Sequence, residues 1–363
     1  MISEPVLREA VSRGIVTAQQ ADGLRDLADD LARREFEPEQ DREKLRFISG
    51  FADIFVVIGI SLFLGAAGYF LLESVRPAFA APIMTGLIWG LAELFSRRHR
   101  MALPSIVLLV LFTGSALVSI YLWAAMIWGL DASRLDRAFD FGHRSGAFGG
   151  RLALSLAALL TVGAVWLHYL RFRVPVTVAA GVAVLAGSAF VFLTALAPGF
   201  VERFAGLIIL LIGLLIFLLA MRFDMSDPRR ETRRTDIAFW LHLLSAPLIV
   251  HSFIQEVFGG VALLNPGKAI AMIGLFLALS MVALVIDRRA LLVSALVYTA
   301  IALGTLFREA AITTATVPAA LLVLGAIILG LSIGWQPLRR LMLMALPANL
   351  RRRFPANAQD SHA

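Results

Sequence analysis

Ten long apolar runs, separated by short blocks of charged residues, dominate this sequence. Each run is about 17–25 residues long, the length that an α-helix needs to cross the ~30 Å hydrocarbon core of a bilayer. Backbone amides and carbonyls cannot bond to lipid, so each run must satisfy them internally as a helix. We therefore predict an all-α fold, a polytopic transmembrane helical bundle of about ten spans. The predicted spans are 49–72, 78–95, 103–130, 152–170, 174–197, 204–221, 237–258, 269–286, 290–307 and 311–335.

Composition agrees with a membrane protein and excludes several kinds of chemistry. Charged residues make up 16% of the chain, against roughly 25% in a soluble domain. The chain has no cysteine, which excludes disulfides, thiolate catalysis and cysteine-ligated clusters. The net charge of +7 would suggest nucleic acid as a partner of a soluble protein. In a membrane protein, basic loops on the cytoplasmic side explain it better, so we expect no nucleic-acid partner.

The distribution of basic residues predicts the orientation in the membrane. With the N-terminus in the cytoplasm, the cytoplasmic loops and the C-terminal tail hold 17 Lys and Arg, and the opposite side holds 8. The 131–151 loop is the exception, because its four arginines lie on the less basic side. By the positive-inside rule we expect a multi-pass protein of a bacterial inner (plasma) membrane, with both termini cytoplasmic.

The two ends of the chain are predicted to differ from the bundle at 48–335. Residues 1–47 read as a cytoplasmic helical hairpin and linker, in which Gly14 ends the first helix and Thr17 with Gln20 caps the second. This hairpin is too small for a large core, so we expect it to pack on another protein through residues 3–35. Residues 336–363 are predicted to form an interfacial amphipathic helix that starts at Pro337, followed by a disordered tail.

The seventh span is the most polar, and it contains most of a candidate intramembrane polar site. Ionisable groups inside a membrane are costly, which makes them functional candidates by default. The two histidines of this span are nine residues apart, about 180° around an ideal helix, so we do not expect them to share a metal ion. The alternative is that they only bond to neighbouring helices. The candidate residues are His242, Ser245, Pro247, His251, Gln255 and, on the ninth span, Tyr298.

The remaining ionisable groups and motifs predict no catalytic site. Asp53, Glu93 and His168 lie near span ends, where we expect interfacial anchoring. The segment 142–146 does not match the nucleophile elbow, and neither a zinc-binding H-E-x-x-H motif nor a Walker A loop is present. We therefore predict no catalytic, cofactor-binding or metal-binding residues, and no enzyme activity.

The N-terminal segment carries a family resemblance. From Val6 to Ala21 it reads as a short helix, a Gly14-Ile15-Val16 turn, then Thr17 and the pair Gln20-Ala21. This pattern, followed by hydrophobic spans, resembles the domain-of-unknown-function 2157 family of predicted bacterial membrane proteins. An Asn-Trp pair often follows the first span in that family, whereas Glu73-Ser74 stands here. The resemblance implies a membrane architecture and no activity or site residues.

Three functions stay open at this point. The polar, proline-containing seventh span favours a small-solute or ion transporter, or an accessory subunit of one. The separately capped hairpin favours a structural or regulatory anchor that docks a cytoplasmic partner. A membrane enzyme acting on lipid is weakest, because no cluster of carboxylates or histidines has catalytic spacing.

Overall fold

The computed structural model of the protein describes residue 9 and residues 11–23, 51–129, 147–227, 232–260, 265–310 and 315–344. Within this part, the chain forms helices and no strands, which confirms the predicted all-α fold. The chain divides into two compact units, residues 1–47 and 48–363. The helices of the second unit are α1 (Phe51–Ser74), α2 (Pro77–Ala92), α3 (Ala102–Ile127), α4 (Ala147–Phe172), α5 (Val176–Leu196), α6 (Pro198–Met225), α7 (Arg233–Phe258), α8 (Pro266–Ile286), α9 (Ala290–Glu309) and α10 (Thr316–Met344).

These ten helices correspond one to one with the predicted spans. Among the described residues, nine are long and apolar enough to cross a membrane, and the tenth, α9, is a helix of 20 residues. Large apolar side chains such as Leu322 and Ile333 are mostly exposed, as expected where lipid rather than water surrounds the helices. The chain is thus a multi-pass integral membrane protein.

Several helix ends differ from the sequence prediction, because charged residues and prolines interrupt an apolar run without ending a helix. α6 begins at Pro198, before Glu202 and Arg203, with a kink at Phe204. Arg151 was assigned to a loop, but it lies in α4 and is 2% exposed. α2 continues into a π-helical segment, Glu93–Arg98.

The C-terminal segment requires the largest correction. Pro337 does not start a separate interfacial helix, because α10 runs through it to Met344. Membrane helices tolerate an internal proline where neighbouring groups compensate for the lost backbone bond. Arg339, which an interfacial helix would place at the head-group level, is 2% exposed and lies 3.8 Å from Asp287. The predicted tail beyond residue 344 lies outside the described residues.

In the N-terminal unit, the predicted turn and cap are present. The amide of Thr17 donates to Gln20 Oε1 at 2.9 Å, and the amide of Gln20 donates to Thr17 Oγ1 at 3.2 Å. Gly14 has a φ of +71°, which favours glycine at the end of the preceding helix. The rest of the predicted hairpin, residues 1–8 and 24–47, lies outside the described residues.

The apolar core of the second unit consists of successive clusters, and α7 takes part in two of them. Ile237 and Leu241 pack in a cluster with α5 and α6, whereas Val250 and Ile254 pack in a cluster with α8, α9 and α10. Half of the most apolar 18-residue stretch of α7 is buried (50%), the largest share among the nine candidate spans of the described chain. α7 therefore occupies the position that brings residues of distant helices together.

Candidate functional site

One carboxylate bonds the end of α6 to the start of α7. Asp227 Oδ2 accepts hydrogen bonds from the amide of Thr232 at 2.8 Å, from its hydroxyl at 2.6 Å, and from the hydroxyl of Thr235 at 3.1 Å. Thr232 in turn caps α7 by accepting from the amide of Arg234 at 3.3 Å. The last turn of α6 is thereby held beside the first turns of α7.

A buried cluster of three ionisable side chains, Asp224, His242 and Arg288, joins α6, α7 and the α8–α9 turn. His242 Nε2 is 2.8 Å from Asp224 Oδ2, and Arg288 Nε donates to that oxygen at 3.1 Å. A second Arg288 nitrogen, Nη2, bonds Asp224 Oδ1 and also donates to the Thr235 carbonyl at 3.3 Å. The exposed fractions are 7% for Asp224, 0% for His242 and 1% for Arg288. Asp224 thus binds a guanidinium in the bidentate, charge-assisted geometry and shares one oxygen with an imidazole.

The turn between α8 and α9 places Arg288 in this cluster. Asp287 ends α8 in the left-handed conformation, with a φ of +57°, which aspartate tolerates better than most residues. Its carboxylate accepts from the Trp335 indole at 2.8 Å, and the Arg289 guanidinium lies 5.0 Å from the centre of the same indole. The turn therefore contacts α10 through Asp287 and Arg289 while Arg288 points to α6 and α7.

The structure places the sequence-predicted site residues in two separate groups and leaves Pro247 and Gln255 outside both. Ser245 joins the His242 group, because its hydroxyl is buried and donates to the His242 carbonyl at 3.0 Å. Pro247 lies inside α7, five residues after His242, and the helix continues through it. His251 forms the second group with Tyr298, with 2.5 Å between His251 Nδ1 and the phenol oxygen.

Gln255 belongs to neither group. A Cβ on Gly260 would lie 2.6 Å from Gln255 Oε1, so this amide packs against the C-terminal end of α7. His242 and His251 have separate partners, as expected for two residues on opposite faces of one helix. No three His, Asp or Glu side chains gather as metal ligands in the described parts of the chain.

Sequence reasoning missed Asp224 and Arg288. Arg288 was counted only among the 17 basic residues of the cytoplasmic side, and Asp224 was not considered as a site residue. One signal was present: a carboxylate in the last turn of α6 opposes the helix dipole, so it needs a cation nearby. Nothing in the sequence identifies which of the surrounding arginines supplies it.

The three predicted interfacial anchors have different surroundings. Asp53 is 3% exposed and accepts from the Leu103 amide at 3.3 Å, so it caps the start of α3. Glu93 pairs with Arg171 at 2.6 Å and with Arg97 at 3.3 Å. His168 is fully buried, and the expectation that it anchors at the interface is wrong.

Comparisons with protein-family models, with curated proteins and with solved structures gave no match. The resemblance of about residues 5–72 to the domain-of-unknown-function 2157 family therefore stays a prediction, and the geometry of the Asp224 cluster is the basis for proposing a function.

Proposed function

We propose that this protein is a proton-linked transporter of an ion or a small solute in a bacterial inner membrane, with both termini in the cytoplasm. The observation that carries the proposal is the buried cluster of Asp224, His242 and Arg288. Its members come from α6, α7 and the α8–α9 turn, so the site depends on three elements that are separate in sequence.

The energetic cost of this cluster supports a functional role. Burying an ion costs several kcal/mol even after relaxation, and replacing a buried ion pair with apolar residues is often neutral or stabilising. A bundle that needed only packing at this position would be served by apolar side chains. Carboxylates and histidines that share a proton-binding site inside membrane proteins commonly belong to proton relays.

The position of the cluster suits access from one side of the membrane. His242 lies nine residues into α7, about 13 Å along the helix. The cluster is closed in this conformation, since His242 and Arg288 are 0% and 1% exposed. Transport then requires a second conformation in which the ends of α6 and α7 separate.

Proton movement in proteoliposomes tests this function. The purified chain is reconstituted with a pH-sensitive dye inside the vesicles, and a panel of sodium, potassium, chloride, phosphate and lactate salts is added outside. We expect at least one salt to change the internal pH with the unchanged protein, and Asp224→Asn to lower the rate about tenfold or more. Asp53→Asn is the matched control, because it neutralises another buried carboxylate, whose hydrogen-bond partner among the described residues is the Leu103 backbone amide.

Two results would overturn the proposal. One is the absence of protein-dependent proton movement with every salt of the panel. The other is an equal effect of Asp224→Asn and Asp53→Asn, which would indicate a general effect of losing a buried carboxylate rather than a role of the cluster.

A second function, a regulatory membrane anchor, is favoured by the N-terminal turn. The reciprocal cap between Thr17 and Gln20 is formed, and the Ile15 side chain in the turn is 72% exposed. Deleting residues 1–36 and comparing the proteins that co-purify with each form tests this alternative. An unchanged set of co-purifying proteins counts against a docking role of the hairpin.

A further inference from the structure

The bond between Arg288 and Asp224 has the geometry that a small anionic substrate would need. Two guanidinium nitrogens of Arg288 meet the two carboxylate oxygens of Asp224. The planar fork of arginine binds carboxylates and phosphates in this same bidentate manner. Asp224 therefore occupies, within the protein, the position of a carboxylate ligand.

We infer that the transported solute is a small carboxylate or phosphate anion, which replaces Asp224 on Arg288 when Asp224 is protonated. This inference rests on the proposed transport function. Asp224 takes up one proton from water, its bonds to the Arg288 guanidinium break, and the anion forms the corresponding bonds. His242, 2.8 Å from Asp224 Oδ2, then bonds the neutral carboxyl.

Charge neutrality of the buried site couples the two ligands. Without ligands, one carboxylate and one guanidinium cancel. A proton alone would leave the site with one net positive charge, and an anion alone would leave it with one net negative charge. Either state buries an uncompensated charge, which costs several kcal/mol. One proton and one monovalent anion together restore neutrality, so the structure implies electroneutral cotransport.

The charges around the cluster favour an anion over a cation. Three exposed arginines lie at the ends of the two helices that carry Asp224 and His242, namely Arg222 in the last turn of α6 and Arg233 and Arg234 in the first turn of α7. Such a field raises the local concentration of anions. Further charged groups at or near the same helix ends are Asp227, Asp236, Asp287 and Arg289. The opposite ends of these helices carry Glu202, Arg203, Glu256, Lys268, Arg308 and Glu309.

Thermal unfolding of the purified protein tests the inference without measuring transport. Sodium lactate and sodium phosphate are titrated at several pH values, and sodium chloride supplies the same cation as a control for ionic strength. For the unchanged protein we expect the two anions to raise the unfolding temperature more at acidic than at alkaline pH. For lactate, which stays monovalent over this pH range, Asp224→Asn should remove the pH dependence and raise the apparent affinity near neutrality by roughly 5- to 150-fold, the usual range for coupled sites.

The control variants separate this site from other anion effects. Asp53→Asn should behave like the unchanged protein. Asp224→Asn and Arg288→Gln each leave one unpaired buried charge. An added anion can neutralise the guanidinium in Asp224→Asn but not the carboxylate in Arg288→Gln, so the double variant Asp224→Asn/Arg288→Gln, which removes both charges, is measured in place of Arg288→Gln. It should show no response to lactate or phosphate beyond that to chloride.

The outcomes distinguish this inference from the proposed function. If Asp224→Asn gains no anion affinity while the protein moves sodium or potassium with protons, transport stands and the anion assignment is wrong. A double variant that still responds to lactate or phosphate also overturns the assignment. If Asp224→Asn binds anions as expected but no solute moves in vesicles, the anion site stands and the proposed function is wrong.

Discussion

The burial of the His168 imidazole on α4 carries an energetic cost. Its ring is fully buried among Phe172, Phe112 and Trp89, with centroid distances of 4.5, 5.1 and 5.8 Å. In the described part of the chain, neither ring nitrogen has a hydrogen-bond partner. A buried polar group without a partner costs about 1–3 kcal/mol. The surroundings of this ring thus suit an apolar aromatic side chain better than an imidazole.

Replacing this histidine with phenylalanine is predicted to stabilise the protein. His168→Phe keeps an aromatic ring of similar shape and removes both unpaired nitrogens, so the free energy of unfolding should rise by about 1–3 kcal/mol. Thermal unfolding in detergent measures the change. His242→Phe is the control, because it removes an imidazole that bonds Asp224 and should lower stability. A lower unfolding temperature for His168→Phe would show that the imidazole has a favourable role at this position.

At the scale of the helices, the Asp224 cluster depends on the close approach of α6 and α7. A Cβ built on Gly213 of α6 would lie 2.9 Å from Ile249 Cγ1 and 3.1 Å from the Ile249 amide nitrogen. Because one of these atoms belongs to the backbone, a larger residue would push the two helices apart. Small residues at such contacts are typical of helix packing in membranes.

Gly213→Ala is therefore predicted to destabilise the protein by about 1–3 kcal/mol, as overpacking usually does. Gly163→Ala on α4 is the matched control, since its Cβ would meet no heavy atom within 4 Å. That control should be neutral or stabilising by up to about 1 kcal/mol, because alanine favours the helix over glycine. Unfolding temperatures of both variants check the prediction, and equal values for the two would contradict it.

At the scale of the whole molecule, the sequence predicts the helices better than the site. The ten spans follow from run length, because the bilayer imposes one length on all of them. Their ends do not follow, since Arg151 and Pro337 interrupt the apolar pattern but lie inside helices. The polar character of α7 follows from the sequence, and the structure adds a hydrogen bond from the Ser245 hydroxyl to the His242 carbonyl. The partners Asp224 and Arg288 could not be predicted, because their contact depends on how α6 and the α8–α9 turn pack.

The orientation of the molecule is open to a direct test, because the chain has no cysteine. Single cysteines can be introduced at the exposed positions Ser74, His99 and Ser226 and treated with a membrane-impermeant maleimide. We expect Ser74→Cys to react from the periplasmic side in cells, and His99→Cys and Ser226→Cys to react only after the inner membrane is disrupted. The reverse pattern would place both termini in the periplasm.

The separation of Asp224 and Arg288 along the chain also concerns biosynthesis. The two residues are 64 positions apart, so α6 and α7 leave the ribosome before the α8–α9 turn that neutralises Asp224. During that interval the nascent bundle holds an acid whose counter-charge has not yet been made. A chain that stops before Arg288 would keep this defect permanently, and we expect membrane proteases to degrade it. Arg288 then marks the point in synthesis at which the charge of Asp224 is compensated.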